Sequence, residues 1–188
     1  MTSHLSRAQR LTRLALLTAL ALIIFIVEAQ IPPLTAIPGV KLGLANIITL
    51  MTLYEFGPKD ALMVLLVRIF LGSVFSGQML MLLFSLAGGL LCYAVCALLY
   101  RHVPLKRLWL LSMIGAVCHN IGQILAAVLV LGTVDVLWYL PVLVLSGLVS
   151  GCFTGLVASA LLRDCRAPEH TAFADAGKGF FRANSQGS

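Results

Sequence analysis

The sequence predicts an all-α membrane protein, a bundle of six transmembrane helices. Hydrophobic residues make up 60% of the 188 positions and charged residues only 11%. A water-soluble domain of this size could not hide so much apolar surface from solvent. The apolar residues also fall into separate stretches of roughly the length that a bilayer requires. The first stretch, 14–29, lacks a convincing small-residue cleavage site, so we interpret it as a spanning helix and not as a signal peptide.

The apolar stretches and the helix breakers between them predict six spans. Their approximate bounds are 13–30, 41–56, 60–76, 79–100, 108–131 and 137–162. We therefore expect one membrane domain over residues 1–163. The polar and charged remainder, 164–188, is predicted to be a flexible cytoplasmic tail, because it holds too few apolar residues to build a core.

The positions of the basic residues predict the topology. Of the thirteen Lys and Arg residues, all but Lys41 and Arg68 lie in the N-terminal arm, the 57–60 turn, the 101–107 loop or the tail. With an even number of spans these segments share one side, which the positive-inside rule assigns to the cytoplasm. Both termini are therefore predicted to be inside. This distribution also explains the net charge of +6 without a nucleic-acid partner.

The second and third spans are predicted to be short. A helix over residues 42–56 would be only ~22 Å long, against a hydrocarbon core of ~30 Å. The preceding segment, 31–40, contains three prolines and cannot be regular helix, yet it is apolar. Irregular backbone at membrane depth must be covered by protein or line a cavity. We expect this segment to be a lid over the outer side of the bundle; the alternative is an ordinary connector.

Arg68 is the residue that most directly indicates a function. It is the one charge in the apolar stretch 61–71. An unpaired cation at bilayer depth costs roughly 2.5–3.5 kcal/mol even on lenient scales, so it requires a partner, a cavity or a ligand. We interpret Arg68 as the floor of a binding site. The alternative is a structural ion pair inside the bundle, for instance with Glu28.

Other polar residues fall at similar depth. Counted from the predicted cytoplasmic ends of their helices, Arg68, Asn46 and His119 lie at about 15–18 Å, and Gln123 at about 24 Å. The inner half of the bundle is almost entirely apolar, so the pattern favours a pocket open to the outside over a pore. For each residue taken singly, an interhelical hydrogen bond is the alternative. The predicted binding residues are Arg68, Asn46, Lys41, His119, Asn120, Gln123 and, with less support, Glu28.

Small residues predict contact surfaces. Ala15 and Ala19 lie one turn apart on the first helix, and at 100° per residue they point roughly 200° away from Glu28. If Glu28 faces the pocket, the alanines face lipid or another subunit. Three glycines on the sixth helix, spaced by four residues, are better explained by internal packing. The five cysteines are dispersed without matching His or carboxylate spacing, which favours packing over a metal site.

Several short motifs resemble one family. The run 38–46 (Pro-Gly-Val-Lys-Leu-Gly-Leu-Ala-Asn), followed by 56–59 (Phe-Gly-Pro-Lys) and Val-Arg at 67–68, is similar to the substrate-binding S-components of energy-coupling-factor (ECF) transporters. The similarity is greatest to the branch called Gx transporters, or heptaprenyl diphosphate synthase component I, which the His-Asn-Ile-Gly-Gln run at 119–123 also fits. The resemblance covers about residues 10–163.

The resemblance implies a transport function. An S-component captures a small vitamin-like, amphipathic or anionic solute from the outer side of a prokaryotic cytoplasmic membrane, and a scaffold subunit with two ATPase subunits drives its release inward. In that family the alanine motif, here Ala15 and Ala19, docks the scaffold. The chain itself has no P-loop.

The acidic residues argue against prenyl-synthase catalysis. Allylic diphosphate chemistry uses aspartate clusters that hold Mg²⁺, and the seven acidic residues here are dispersed. We therefore expect no enzyme activity, no cofactor and no metal. The alternative function is a noncatalytic membrane subunit of a quinone-related, prenyl-related or electron-transfer assembly.

Overall fold

The computed structural model describes the backbone of residues 6–30, 44–77 and 79–185. It also describes their side chains, except those of Ala29, Met79, Met81 and 164–185. The described chain is helical and contains no strand, which confirms the all-α prediction. Six α-helices follow one another: α1 Arg7–Gln30, α2 Asn46–Glu55, α3 Pro58–Ser76, α4 Met79–Leu99, α5 Leu108–Leu131 and α6 Leu140–Ser185. Short 3₁₀ turns precede α5, at Leu105–Arg107, and α6, at Asp135–Tyr139.

Four of these helices, α1, α4, α5 and α6, are long and apolar enough to cross a membrane. The protein is therefore an integral membrane protein. Helix α2 has 10 residues and is only ~15 Å long, about half the hydrocarbon core. Helix α3 has 19 residues and reaches ~28 Å. It begins two residues earlier than predicted, because Pro58 occupies its first turn, where a missing N–H costs nothing.

Side-chain contacts join three connecting segments at one end of the bundle. The Tyr54 hydroxyl at the end of α2 donates to the carbonyl of Val103 at 2.9 Å. The Tyr93 hydroxyl of α4 donates to the carbonyl of Pro58 at the same distance, 2.9 Å. The start of α1 joins them through an ion pair of 2.5 Å between Arg10 and Asp60. The basic segments before α1, between α2 and α3, and between α4 and α5 thus lie together, at the end that the sequence assigns to the cytoplasm.

Glycines allow α5 to pack closely against α6. A Cβ placed on Gly151 would lie 2.8 Å from the Cα of Met113, and one on Gly155 would lie 2.5 Å from the Cα of Trp109. Real Cβ atoms do not approach backbone so closely, so only glycine fits at these crossings. Gly147, the first of the series, lies against the side chain of Asn120 in the same way. Internal packing of the three glycines is confirmed.

Helix α6 continues beyond the predicted span. Its backbone is helical to Ser185, whereas the apolar span ends near Leu162. The backbone of 164–185 is therefore helical and not irregular. The division of the chain at residue 163 into a membrane domain and a flexible tail stays a prediction.

Candidate functional site

The guanidinium of Arg68 lies inside the bundle and does not face lipid. Arg68 is on the buried face of α3, and only 3% of its surface is exposed. Its Nη2 donates a hydrogen bond of 3.1 Å to Oδ1 of Asn46, the first residue of α2. A side-chain amide oxygen is a good partner for a guanidinium, but it supplies no compensating charge. The contact places Asn46 and Arg68 side by side, and their role in binding stays a prediction.

Glu28 supplies negative charge near this pair. It lies on α1 with 4% of its surface exposed, and it interacts electrostatically with Arg68. A buried carboxylate near a buried guanidinium lowers the cost of placing either charge at membrane depth. The alternative drawn from the sequence, in which Glu28 partners Arg68, therefore accounts for part of the environment of the guanidinium. Asn46 provides the other part.

Helix α5 contributes two further buried polar residues, His119 and Gln123, on the side that packs against α4. They are one turn apart, with 4% and 1% of their surfaces exposed. Both contact α4 at Gly88, where an added Cβ would lie 2.9 Å from His119 Nδ1 and 2.9 Å from Gln123 Cγ. His119 is also close enough to Arg68 for the imidazole and the guanidinium to interact electrostatically. The structure thus groups Arg68, Asn46, Glu28 and His119, with Gln123 one turn further along α5.

Asn120 points in a different direction. It is completely buried, and its Nδ2 donates a hydrogen bond of 2.5 Å to the backbone carbonyl of Leu143 on α6. Because adjacent residues on a helix differ by 100°, Asn120 cannot share the face of His119. Its amide braces α5 against α6, which is the interhelical alternative noted for the polar residues. Asn120 therefore differs from the other predicted binding residues in having a clear structural contact.

Several buried polar atoms in this layer have no hydrogen-bond partner among the described residues. Native interiors leave few such atoms, since each costs about 1–3 kcal/mol. Some are donors, some are acceptors, and the hydroxyl and imidazole can be either. They are Asn46 Nδ2, Thr49 Oγ1, Arg68 Nε, His119 Nδ1, Asn120 Oδ1 and both amide atoms of Gln123. We define these six residues, together with Glu28, as the polar layer.

Two small cavities lie beside the polar layer, one between α2, α4, α5 and α6 and the other between α2 and α4. Each has a volume of about 20 Å³, and Asn46, Leu50, Cys92 and Cys96 line both. A space of this size holds a water molecule but no organic solute. Thr49 lines one of the two cavities. An ordered water there would be able to form a hydrogen bond with the Thr49 hydroxyl, either as donor or as acceptor.

Two predicted features cannot be compared with the structure. Lys41 and the proline-containing segment 31–40 lie outside the described residues. Thr49 was not predicted from the sequence, although it follows Asn46 by three residues and so shares its helix face. Gly88 was also missed. Its role depends on the crossing of α4 and α5, which no local pattern reveals.

The alanine pair lies on the opposite side of α1 from Glu28. Ala15 and Ala19 are both exposed, whereas Glu28 is buried. The exposed stripe continues with large apolar residues of the same helix. They are Leu16, Leu20, Ile23 and Val27. The exposure of the two alanines and the burial of Glu28 agree with their separation of roughly 200° around the helix. A docking role for this surface stays a prediction.

The described residues contain no group of three or more His, Cys, Asp or Glu side chains placed to hold a metal ion. The polar layer offers hydrogen-bonding and charged groups of several kinds. One guanidinium, one carboxylate, three amides, an imidazole and a hydroxyl can together bind a polar or charged group.

Comparisons with known proteins identify the family. The family model for heptaprenyl diphosphate synthase component I matches residues 17–161, which include every described residue of the polar layer. That description names a component, a subunit that works with others. No curated protein and no solved structure matches the chain. Because the match covers most of the sequence, this integral membrane protein belongs to the heptaprenyl diphosphate synthase component I family.

Proposed function

We propose that the protein is the substrate-binding S-component of an ECF-type uptake transporter. It captures a small solute from the outer side of a prokaryotic cytoplasmic membrane and has no catalytic activity of its own. The observation that carries the proposal is the polar layer, in which buried polar atoms contributed by α2, α3 and α5 have no hydrogen-bond partner among the described residues. The S-component motifs around Asn46 and Arg68 support the same reading.

A structural role alone accounts poorly for the polar layer. Asn120 shows what a bracing residue looks like, since its amide spans two helices in a short hydrogen bond. Gln123 is 1% exposed and has no partner for either amide atom among the described residues. In a membrane such atoms cannot turn to bulk water, so they are costly unless a ligand or ordered water engages them. A solute bound beside Gln123 and Arg68 would supply both a donor and an acceptor.

The composition of the layer limits the solute to a small molecule with a polar or anionic group and an apolar part. Arg68 attracts negative charge, and Glu28 nearby moderates that attraction. Apolar surface is available on the same helices, since Phe25, three residues before Glu28, and Ile69, directly after Arg68, are both buried. We propose that Lys41 and the segment 31–40 complete the site from its outer side.

Energy for release would come from other chains. We propose that a membrane scaffold subunit docks on the stripe of α1 that contains Ala15 and Ala19, and that two ATPase subunits act through the scaffold. Small exposed side chains permit a close approach of another helix. Glu28 lies on the opposite side of α1 from Ala15 and Ala19 and belongs to the polar layer. Movement of α1 on docking would therefore shift the Glu28 carboxylate within the proposed solute site.

Ligand retention tests the binding site. The protein is purified in mild detergent, and retained solutes are identified by native mass spectrometry and then titrated back onto ligand-free protein. Replacing Arg68 removes a charged hydrogen-bond donor worth about 1.5–3 kcal/mol, so Arg68→Ala should weaken binding about 10- to 150-fold. The exposed Arg101 in the α4–α5 loop is the matched control, and Arg101→Ala should bind normally. Equal affinity of the two variants would refute the site.

Co-purification tests the docking surface. Ala15→Trp and Ala19→Trp place a bulky side chain on the exposed stripe and should abolish co-purification with the scaffold subunit while leaving solute binding intact. Leu129 lies on α5 with 84% of its surface exposed, so Leu129→Trp is the control for a bulky lipid-facing substitution. Normal co-purification of both alanine variants would exclude this surface as the dock, and loss of solute binding as well would indicate misfolding.

The family description favours a second candidate function. It names a component of a prenyl diphosphate synthase, so the chain could be a noncatalytic membrane subunit of a prenyl- or quinone-related assembly. The polar layer would then brace the bundle, and the exposed stripe of α1 would recruit a partner. Genomic neighbours discriminate the two: scaffold or ATPase genes support the transporter, and quinone or redox genes alone support the assembly.

A further inference from the structure

A pair of free thiols lies in the interior of the bundle, close to the polar layer. Cys92 and Cys96 are one turn apart on α4, and only 9% and 5% of their surfaces are exposed. Both line the two small cavities beside Asn46. The proposed solute site uses neither sulfur, so the pair invites a separate explanation.

The two sulfurs converge on one point of α5. A Cβ built on Gly115 would lie 3.1 Å from the Sγ of Cys92 and 2.8 Å from that of Cys96. The two sulfurs are therefore no more than about 6 Å apart, as expected for neighbours at i and i+4. Glycine at 115 leaves the space that the thiols occupy. Metal–thiolate bonds are ~2.3 Å long, so small rotations of the two side chains would allow both sulfurs to bind one ion.

We propose that Cys92 and Cys96 form a buried two-thiolate site for a soft monovalent metal ion, Cu(I). Thiolate ligands select soft ions. Structural zinc requires four ligands, and the described residues offer no third His, Cys, Asp or Glu at this place. Cu(I) accepts two sulfurs in a linear arrangement and needs no other ligand. The proposal does not depend on the solute-binding function.

Charge balance at this depth is satisfied in part by Arg68. Binding replaces the protons of two thiols with one Cu(I), so two protons leave and the complex carries one negative charge. The guanidinium of Arg68 is close enough to Cys92 to interact with it electrostatically. Because Glu28 also lies near this guanidinium, Arg68 offsets only part of the combined negative charge of Glu28 and the complex. Ordinary hydrophobic packing of the two thiols would gain nothing from a nearby cation.

A competition titration tests the proposal. A variant with Cys118→Ser, Cys152→Ser and Cys165→Ser keeps only the pair, and it is titrated with Cu(I) buffered by bicinchoninate under anaerobic, reducing conditions. We expect the protein to withdraw one equivalent of Cu(I). Adding either Cys92→Ser or Cys96→Ser should abolish the withdrawal. X-ray absorption at the copper edge should show two sulfur neighbours.

The same titration in the otherwise unaltered chain guards against misfolding of the multiple variant. There, Cys92→Ser should remove one equivalent of bound Cu(I), and Cys118→Ser should remove none from this site. Size-exclusion chromatography and circular dichroism establish that each variant is folded. If folded protein withdraws no Cu(I), or if the withdrawn amount is the same without Cys92 and Cys96, the pair serves packing only and the proposal is wrong.

Discussion

The contact between α4 and α5 at Gly88 gives a prediction that joins stability to the polar layer. In Gly88→Ala the new Cβ would lie 2.7 Å from the backbone oxygen of His119 and 2.9 Å from His119 Nδ1. Backbone cannot move aside as a side chain can, so the two helices must separate. Overpacking of this kind costs about 1–3 kcal/mol.

The neighbouring residue provides a matched control. In Gly89→Ala the nearest atoms are the ends of the Ile69 and Leu65 side chains, at 3.1 and 3.2 Å. These can shift at little cost. Both substitutions lie inside α4, so both gain the same helix propensity, about 1 kcal/mol relative to glycine. The difference between the two variants therefore isolates the steric cost at Gly88.

The assay is unfolding in mixed micelles, by heat and by added SDS, followed by circular dichroism. We expect Gly88→Ala to be less stable than Gly89→Ala by about 1–3 kcal/mol, or about 2–12 °C in Tm for a chain of this size. Gly88→Ala should also bind the solute more weakly, because His119 and Gln123 must move. Equal stability of the two variants would refute the close crossing, and with it the position of both side chains.

Three further substitutions test the contacts of the bundle by the same unfolding assay. Asn120→Leu removes the donor to Leu143 and should cost about 1 kcal/mol; full stability would mean that Asn120 is no brace. Ser112→Ala breaks a 3.0 Å hydroxyl pair with Thr154 and should cost about 0.6 kcal/mol, as is usual in membranes. Asp60→Asn breaks the surface pair with Arg10 and should cost less than about 1 kcal/mol; a larger loss would show that this ion pair fixes the start of α1.

The helices could be predicted from the sequence because each depends on local properties. Apolar runs and breakers determine the spans, and the Gly57-Pro58 turn is visible as a dipeptide. The burial of Arg68 was also predictable, since a lone cation in an apolar helix is too costly to expose to lipid. The identity of its partner was not. Whether Asn46, Glu28 or both meet Arg68 depends on how α1, α2 and α3 are rotated about their axes.

The remaining features of the site depend on helix crossings. The direction of Asn120 toward α6 follows from the 100° step after His119, but only the packed bundle shows that Leu143 lies there to accept its hydrogen bond. Thr49 could not be predicted as part of the site, because a threonine in a helix often donates its hydroxyl to its own backbone and so gives no distinct signal. Gly88 has no local signal, since its importance comes from the approach of α5.

A density map of the protein purified with its retained solute tests the solute-binding claim most directly. We expect solute density within hydrogen-bond distance of Arg68 Nε and of the amide of Gln123, atoms that lack partners among the described residues. Density for the solute elsewhere, or a map in which ordered water alone satisfies these two side chains while the solute is bound, would contradict it.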